Sequence, residues 1–426
     1  MHSRQTAGLS QELVAIMRHW PRSRPSTCLA EEPQTGENAG FRSYRSGLGE
    51  SKPWIVRLGC GWYNLAEEAG RTGRNAGLIR VGIISASGYA GGELVRYLLM
   101  HPGVQITYLA STKFEGRPLS DAYPSLLGQD LPLCEKYDLD VAVDRADFFF
   151  QAYGSGVGMK VAPDLLDHGK KLVDIPADFR IKDLAVYREH YGEHTAPELV
   201  SEAVYGLTEL HSAEIASARL VANPGCYAAG ALLALAPLVS RRLVDLSTII
   251  VDSKSGVSGA GRSRLETASL FAEINEGFRA YAVATHKHTP EIEQEISALA
   301  GKSVKLSFTP HLVPMNRGIL TTAYASAPPG AALPETVEIT AIYREFYQDA
   351  RFVVVLDEGR QPNTKNVFGT NYCHIGIVSD ARTRRVIVTS AIDNMGKGAA
   401  GQAVQNMNVM CDFDEDTGLT APAVFP

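Results

Sequence analysis

The chain has 426 residues, 45% of them hydrophobic and 21% charged, with a net charge of -6, which describes an ordinary globular protein long enough for two domains. That balance gives no basic footprint for nucleic acid or an anionic membrane, and no apolar run approaches the ~18 residues of a membrane span. Six cysteines, at 28, 60, 134, 226, 373 and 411, form no C-x-x-C pair, so a reducing, cytoplasmic compartment is expected, with neither a zinc site nor a disulfide framework.

Residues 1–78 carry Pro21, Pro25, Pro33 and Pro53, scattered Gly and Arg, and no sustained period. A disordered extension is the expectation. The Arg-bearing stretch 1–29, with Glu12 as its only acid, leaves organellar import open as an alternative. Order begins at 79. Residues 79–84 read as a buried strand, 85–92 as a small-residue turn, and 93–100 as a helix burying Leu94, Val95, Leu98 and Leu99. Strand, glycine-rich turn and helix together present backbone N–H groups to a pyrophosphate, here at Ser85, Ser87, Gly88, Tyr89, Ala90 and Gly91. The spacing is not the standard G-x-G-x-x-G.

The next strand, 104–110, ends in Ser111, Thr112 and Lys113, about twenty residues past the turn. No acid stands there to hold a free ribose 2′-hydroxyl. The hydroxyls and Lys113, with Arg117 near, suit a 2′-phosphate and favour NADP over NAD. Strands at 147–151 and 171–174, with a helix at 160–168 between them, continue a doubly wound α/β pattern. A Rossmann-type NADP-binding domain is therefore expected over 79–225. Residues 226–393 change character, with strands at 246–253, 304–313, 318–326, 353–356, 374–379 and 385–391 and helices at 290–299 and 335–347. This second part reads as an α+β catalytic and dimerisation domain with a mostly antiparallel sheet. A small-residue helix within 394–412 is expected to return to the first domain.

Three stretches carry the chemistry. At 221–228 an apolar run ends at Asn223, Pro224 and Gly225 force a turn, and a helix starts near Cys226. A helix N-terminus favours an anion and so a thiolate, although most free cysteines are small buried hydrophobes. At 285–291, Thr289 reads as an N-cap and Pro290 as the first helical residue, which holds His288 in a defined loop. An imidazole near Cys226, from His288 or the neighbouring His286, would hold the thiol as thiolate and shuttle a proton. No third ligand joins the two histidines, so no metal is expected. At 255–262 a glycine-rich loop containing Ser258 and Gly259, followed by Arg262, makes a second anion cradle or a flexible connector. Arg180 and Arg317 could fork a carboxylate or phosphate, or form structural ion pairs. A thiolate beside a nicotinamide permits reduction of an acyl group through a thioester.

The motifs Ala-Ser-Gly-Tyr-Ala-Gly-Gly-Glu-Leu at 86–94, Ala-Asp-Phe-Arg at 177–180, Tyr-Gly-Leu at 205–207, Asn-Pro-Gly-Cys-Tyr at 223–227, Ser-Gly-Val-Ser-Gly-Ala-Gly-Arg at 255–262, His-Lys-His-Thr-Pro-Glu at 286–291, Pro-Met-Asn-Arg-Gly-Ile-Leu at 314–320 and Ile-Asp-Asn at 392–394 occur in one order. With them, residues 79–412 resemble the N-acetyl-gamma-glutamyl-phosphate reductase family, related in fold to the aspartate-semialdehyde and glyceraldehyde-phosphate dehydrogenases. The resemblance implies NADPH-dependent reductive dephosphorylation of N-acetyl-L-glutamyl 5-phosphate, with Cys226 forming the acyl-enzyme and His288 as acid/base. It implies NADPH over the 85–91 turn, Ser258 and Gly259 near the nicotinamide end, Asn371 also touching that end, and a homo-oligomer, dimer or tetramer. The chain departs from the family pattern in four places. Ser85 replaces a glycine, and residues 151–155 replace a Leu-Pro-His-Gly-like run. Ala228 or Ala229 stands where Thr is common, and Ile175 and Pro176 fall in an Asp-x-Ser-Ala motif. The same chemistry on an aminoadipyl or aspartyl phosphate, or a dinucleotide sensor without chemistry, are the alternatives.

Overall fold

The structure, a computed structural model, describes residues 77–152, 154–262 and 270–424, together with the backbone of 55–58 and 61–64. Most of the expected 1–78 extension lies outside the described residues. Within it, β1 (Ile55–Leu58) pairs antiparallel with β2 (Gly61–Asn64).

From residue 77 onward, two seven-stranded sheets are built. The first begins with β3 (Ile79–Ile84), whose apolar run is buried on both faces as a central parallel strand must be. It is followed by α1 (Tyr89–Leu98), β4 (Val104–Ala110), β5 (Cys134–Glu135), α2 (Leu139–Arg145), β6 (Phe148–Gln151), α3 (Gly158–Asp167) and β7 (Lys171–Asp174). Helices α4 (Leu184–Tyr191) and α5 (Glu198–Glu202) lead into β8 (Val204–Tyr205), α6 (Thr208–Ser217) and β9 (Leu220–Ala222). The order is β5-β4-β3-β6-β7-β9-β8, every pairing parallel. The chain runs outward from β3 on one side and then restarts at β6 on the other. The carboxyl ends of β3 and β6 therefore flank the crevice where such sheets take ligands.

α7 (Cys226–Ser240) links this sheet to the second. It is apolar all round, with every residue from Tyr227 to Val239 buried, so it serves as a core helix and not a surface one. The second sheet comprises β10 (Ile250–Ser255), β11 (Arg279–Ala280), β12 (Ser307–Leu312), β13 (Ile319–Ser326), β14 (Val353–Val355), β15 (Cys373–Asp380) and β16 (Arg385–Ile392), in the order β11-β12-β10-β13-β16-β15-β14. Two pairings, β10 with β12 and β14 with β15, are parallel and the rest antiparallel. Helices α8 (Phe271–Ile274), α9 (Thr289–Ala300) and α10 (Thr336–Phe346) intervene. The chain closes with a π-turn at Gly396–Ala400 and α11 (Gly401–Met410), whose Ala403, Val404 and Met407 join Val81, Leu94 and Val95 in one core.

Boundaries moved where polar groups intervened. The expected strand at 246–253 starts later, because Asp245 accepts from Ser247 N and winds Leu246–Thr248 into a 3-10 turn. The expected helix at 93–100 starts earlier, at Tyr89, so the glycines of the turn form its first turn. Among the described residues no helix is long and apolar enough to cross a membrane.

Candidate active site

Cys226 is the first residue of α7, with Gly225 as N-cap in an extended conformation. The elbow before it is held by its backbone: Asn223 N donates to Asp174 O at 2.8 Å, tying the end of β9 to the end of β7. Two glycines let the surroundings close on the thiol. A methyl group on Gly225 would lie 2.6 Å from His288 Nε2 and 2.8 Å from Arg180 Nη1. One on Gly398, in the π-turn, would lie 2.8 Å from Cys226 Cβ.

His288 occupies the N-cap of α9, one position earlier than the expected cap Thr289, because Ile292 N already donates to His288 O. His286 Nδ1 accepts from His288 N at 3.1 Å, and the two rings meet edge to face at 4.8 Å. His286 thereby shapes the loop, packed among Tyr227, Tyr281 and Phe308. The structure thus sets the His288 ring against Gly225, the residue before Cys226.

Their charge states differ from the thiolate expected of a helix N-terminus. Burial pushes the Cys226 thiol up to about 11, although Arg180 and the first-turn amide of Tyr227 pull in the other direction. Burial, then the Arg180 cation, pushes His288 down to about 3. His286 is likewise held down to about 3, by burial and then by His288. Helix polarity acts with the expected sign, but desolvation is larger, so both members of the pair are neutral near pH 7.

Arg180 and Glu291, which the sequence presented as a loose cation and a helix-start acid, are both buried beneath the elbow. Arg180 donates Nε to Asn223 O at 2.7 Å, Nη2 to Ile175 O at 2.5 Å and Nη1 to Glu291 at 3.2 Å. It is a structural ion pair, as is Arg317, which spans Glu93 of α1 and Asp393 after β16. The signal that could have exposed Glu291 was its position three residues after His288.

The turn after β3 fits a dinucleotide. No side chain caps α1 and no acid stands in its first turn, so its N-terminal amides are left for an anion. Arg262 Nη1 donates to Ser87 O at 3.2 Å, and Tyr123 OH donates to Ser87 O and Gly88 O. Ser87 Oγ and Ser111 Oγ are 2.7 Å apart, which joins the turn to Thr112 and Lys113 at the end of β4. A cleft of about 820 Å³ lies between this helix start and the glycine-rich loop, lined by Tyr89, Gly92, Ser258, Arg262 and Asn316 among others. Ser258 faces it while its hydroxyl donates to Asn316 O. Gly259 follows in the 3-10 turn Val257–Ala260. Cys226, His288, Ser87, Gly88 and Lys113 do not line this cleft, and neither does Asn371, which is wholly buried, its amide donating to Gln405 Oε1 at 2.7 Å and its Oδ1 unpartnered.

The departures from the family pattern have local causes or costs. Ser85 has φ +68°, the left-handed region that a glycine enters freely and an L-residue at roughly 1–2 kcal/mol. Ala228 and Ala229 are fully buried in α7, where a larger residue would need room. Ile175 O accepts from Arg180, a role its side chain does not affect. Within 151–155, Tyr153 lies outside the described residues.

Comparison with known proteins agrees with this geometry. Residues 80–218 match the semialdehyde dehydrogenase NAD-binding domain, and 226–394 match the semialdehyde dehydrogenase dimerisation domain. Two N-acetyl-gamma-glutamyl-phosphate reductases, from Pelotomaculum thermopropionicum and Desulforamulus reducens, are each 50% identical over 82% of this chain and 99% or 100% of their own length. Solved structures with the same fold include aspartate semialdehyde dehydrogenase II of Vibrio cholerae complexed with ASA, at a TM-score of 0.60 and 17% identity over 79% of this chain and 99% of that one. Another is the Candida albicans aspartate semialdehyde dehydrogenase with NADP, at 0.56 and 15% over 78% and 99%. With 50% identity over the 82% of the chain that aligns with essentially the full length of these reductases, the chain belongs to the N-acetyl-gamma-glutamyl-phosphate reductase family.

Proposed function

We propose that this chain reduces N-acetyl-L-glutamyl 5-phosphate to N-acetyl-L-glutamate 5-semialdehyde with release of phosphate, using NADPH and a thioester on Cys226. In this reading residues 79–225, completed by the helix within 394–412, carry the cofactor, and 226–393 carry the chemistry. The observation that carries the reading is the packing of His288 against Gly225, next to a thiol at the start of α7.

The uncapped start of α1, with Ser87 and the Ser111–Lys113 stretch, would hold the dinucleotide, which supplies hydride when bound. Burial leaves His288 unprotonated and the Cys226 thiol protonated, so the thiol must lose its proton as it reacts and the imidazole is the base in reach. His288 takes that proton while the Cys226 sulfur attacks the acyl carbon and the C–O bond to phosphate breaks. Once the thioester carbon has gained a hydride, the C–S bond breaks and charged His288 returns its proton to the Cys226 sulfur as the aldehyde leaves. The amides of the first turn of α7, which no side chain caps, would stabilise negative charge developing beside Cys226.

A nucleophilic thiol must stay reduced, which supports a cytoplasmic setting. The match to a dimerisation domain over 226–394 supports a homo-oligomer, dimer or tetramer. The test is phosphate-dependent reduction of NADP by N-acetylglutamate 5-semialdehyde. Cys226→Ser is expected to lose this activity by at least about a thousandfold, and near-wild-type activity of that variant would sink the covalent route. Full turnover of aspartate semialdehyde with none of the acetylated compound would move the substrate assignment instead.

A further inference from the structure

The Tyr-Gly-Leu motif at 205–207 and the helix α11 meet at one amide behind the elbow that presents Cys226. Asn406 of α11 is wholly buried. Its Nδ2 donates to Gly206 O at 2.9 Å and to Asn223 Oδ1 at 3.1 Å. Its Oδ1 accepts from Thr208 Oγ1 at 2.8 Å and from Gln402 Nε2 at 3.4 Å, so every bonding position of the amide is used. Gly206 is itself fixed to the end of β9, its N donating to Ala222 O at 2.8 Å. A methyl group on Gly206 would lie 2.5 Å from Asn406 Nδ2, which only glycine permits. Asn223, three residues before Cys226, has a second partner in the same part of the chain: its Nδ2 donates to Ala399 O of the π-turn at 3.1 Å.

The direction of these bonds is fixed. A carbonyl only accepts, so Gly206 O requires the amino side of Asn406. Asn223 must then offer its oxygen to Asn406, which leaves its own amino group for Ala399 O. Pro224, next in the elbow, has no N–H to add to the hold. We propose that Asn406 is a positioning residue for the nucleophile, acting through the side chain of Asn223 to keep the elbow against the π-turn. The proposal rests on the reading above, in which Cys226 attacks the substrate. A fully bonded, uncharged amide orders its neighbours without the cost of burying a charge. Its loss leaves Gly206 O and Asn223 Oδ1 without their donor, and the elbow becomes free to shift relative to His288. A misplacement of about 1 Å costs about 100-fold in rate. The same loosening draws Gly398 away from Cys226 Cβ, so a small alkylating reagent gains access while turnover is lost.

The experiment measures steady-state kinetics, iodoacetamide alkylation of Cys226 and thermal melting in the full chain. The variants are Asn406→Ala, Asn223→Ala, the two combined, and Val404→Ala. Val404 is buried in the core that α11 shares with β3 and α1, and serves as the control for lost stability. Asn406→Ala should lower kcat about 100-fold, keep KM for NADP within about twofold and speed alkylation several-fold. Val404→Ala should melt earlier with kcat and alkylation near wild type. Because Asn406 acts through Asn223, the double variant should be within about twofold of the slower single, whereas independent effects multiply. Any of three results would overturn the proposal: Asn406→Ala with kcat or alkylation within about twofold of wild type, the same changes in Val404→Ala, or multiplied losses in the double variant. Should Asn406→Ala not fold, wild-type kcat in Asn223→Ala overturns it. Alkylation needs no substrate, so a wrong acyl phosphate would appear as an inactive wild type from which Asn406→Ala still differs in alkylation.

Discussion

Placing Cys226 at the first position of α7 sets about half a positive charge beside its sulfur, yet burial pushes the thiol up to about 11. The two effects compete within one site, and desolvation is the larger, although Cys226 remains partly accessible where Cys134 and Cys373 are buried. The sign for reactivity follows directly. Below its pKa the thiol is protonated, so alkylation of the cofactor-free protein should rise about tenfold per pH unit from 7 to 10. A rate by iodoacetamide that levels off near neutral pH would contradict a raised thiol pKa, and peptide mapping should place the adduct on Cys226 and not on buried Cys134 or Cys373. Gly225 carries the second residue-level prediction. In Gly225→Ala the new methyl meets a histidine nitrogen at 2.6 Å and a guanidinium at 2.8 Å, the second fixed by its bonds to Asn223 O, Ile175 O and Glu291. Turnover should drop about 100-fold, and a variant with wild-type kcat would show that His288 does not lie where it is described.

At the scale of elements, the π-turn and α11 close the site from behind, and a buried charge holds them. Lys397 and Glu209 are both fully buried and pair across the π-turn and α6, with Gln405 accepting a second bond from Lys397. The small residues of 396–401 permit this approach: a methyl on Gly396 would strike Thr370 O at 2.0 Å. Removing one partner of such a pair leaves the other charge buried and alone. Lys397→Met should therefore cost about 3–5 kcal/mol, read as a lower urea midpoint. The double variant Lys397→Met with Glu209→Gln should recover most of it. Equal losses in the single and double variants would mean that packing and not charge sets the cost.

Across the whole molecule, Arg317 joins what the sequence presents as separate halves. It reaches Glu93 of α1 and Asp393 after β16, both nearly or wholly buried, and two bonds to each fix α1 against the second sheet. Arg317→Met should weaken NADP binding about tenfold by calorimetry, with the alkylation of Cys226 in the absence of cofactor little changed. An unaltered dissociation constant would show that the two parts hold together without it. The legible features were local ones. Apolar runs and glycine spacing gave the β3 turn, the Cys226 elbow and the His288 loop, because short-range sterics and periodicity are written in neighbouring residues. Ser85 and the one-residue shift of the α9 cap show how far such reading reaches, since a side chain can be forced to φ +68° by the turn around it. Tertiary packing alone decided that Glu291 meets Gly225 across 66 residues, that Asn371 is buried behind the π-turn, and that burial raises the Cys226 thiol and lowers the His288 imidazole. Those outcomes depend on which distant groups exclude water from one another, a quantity that no stretch of chain contains by itself.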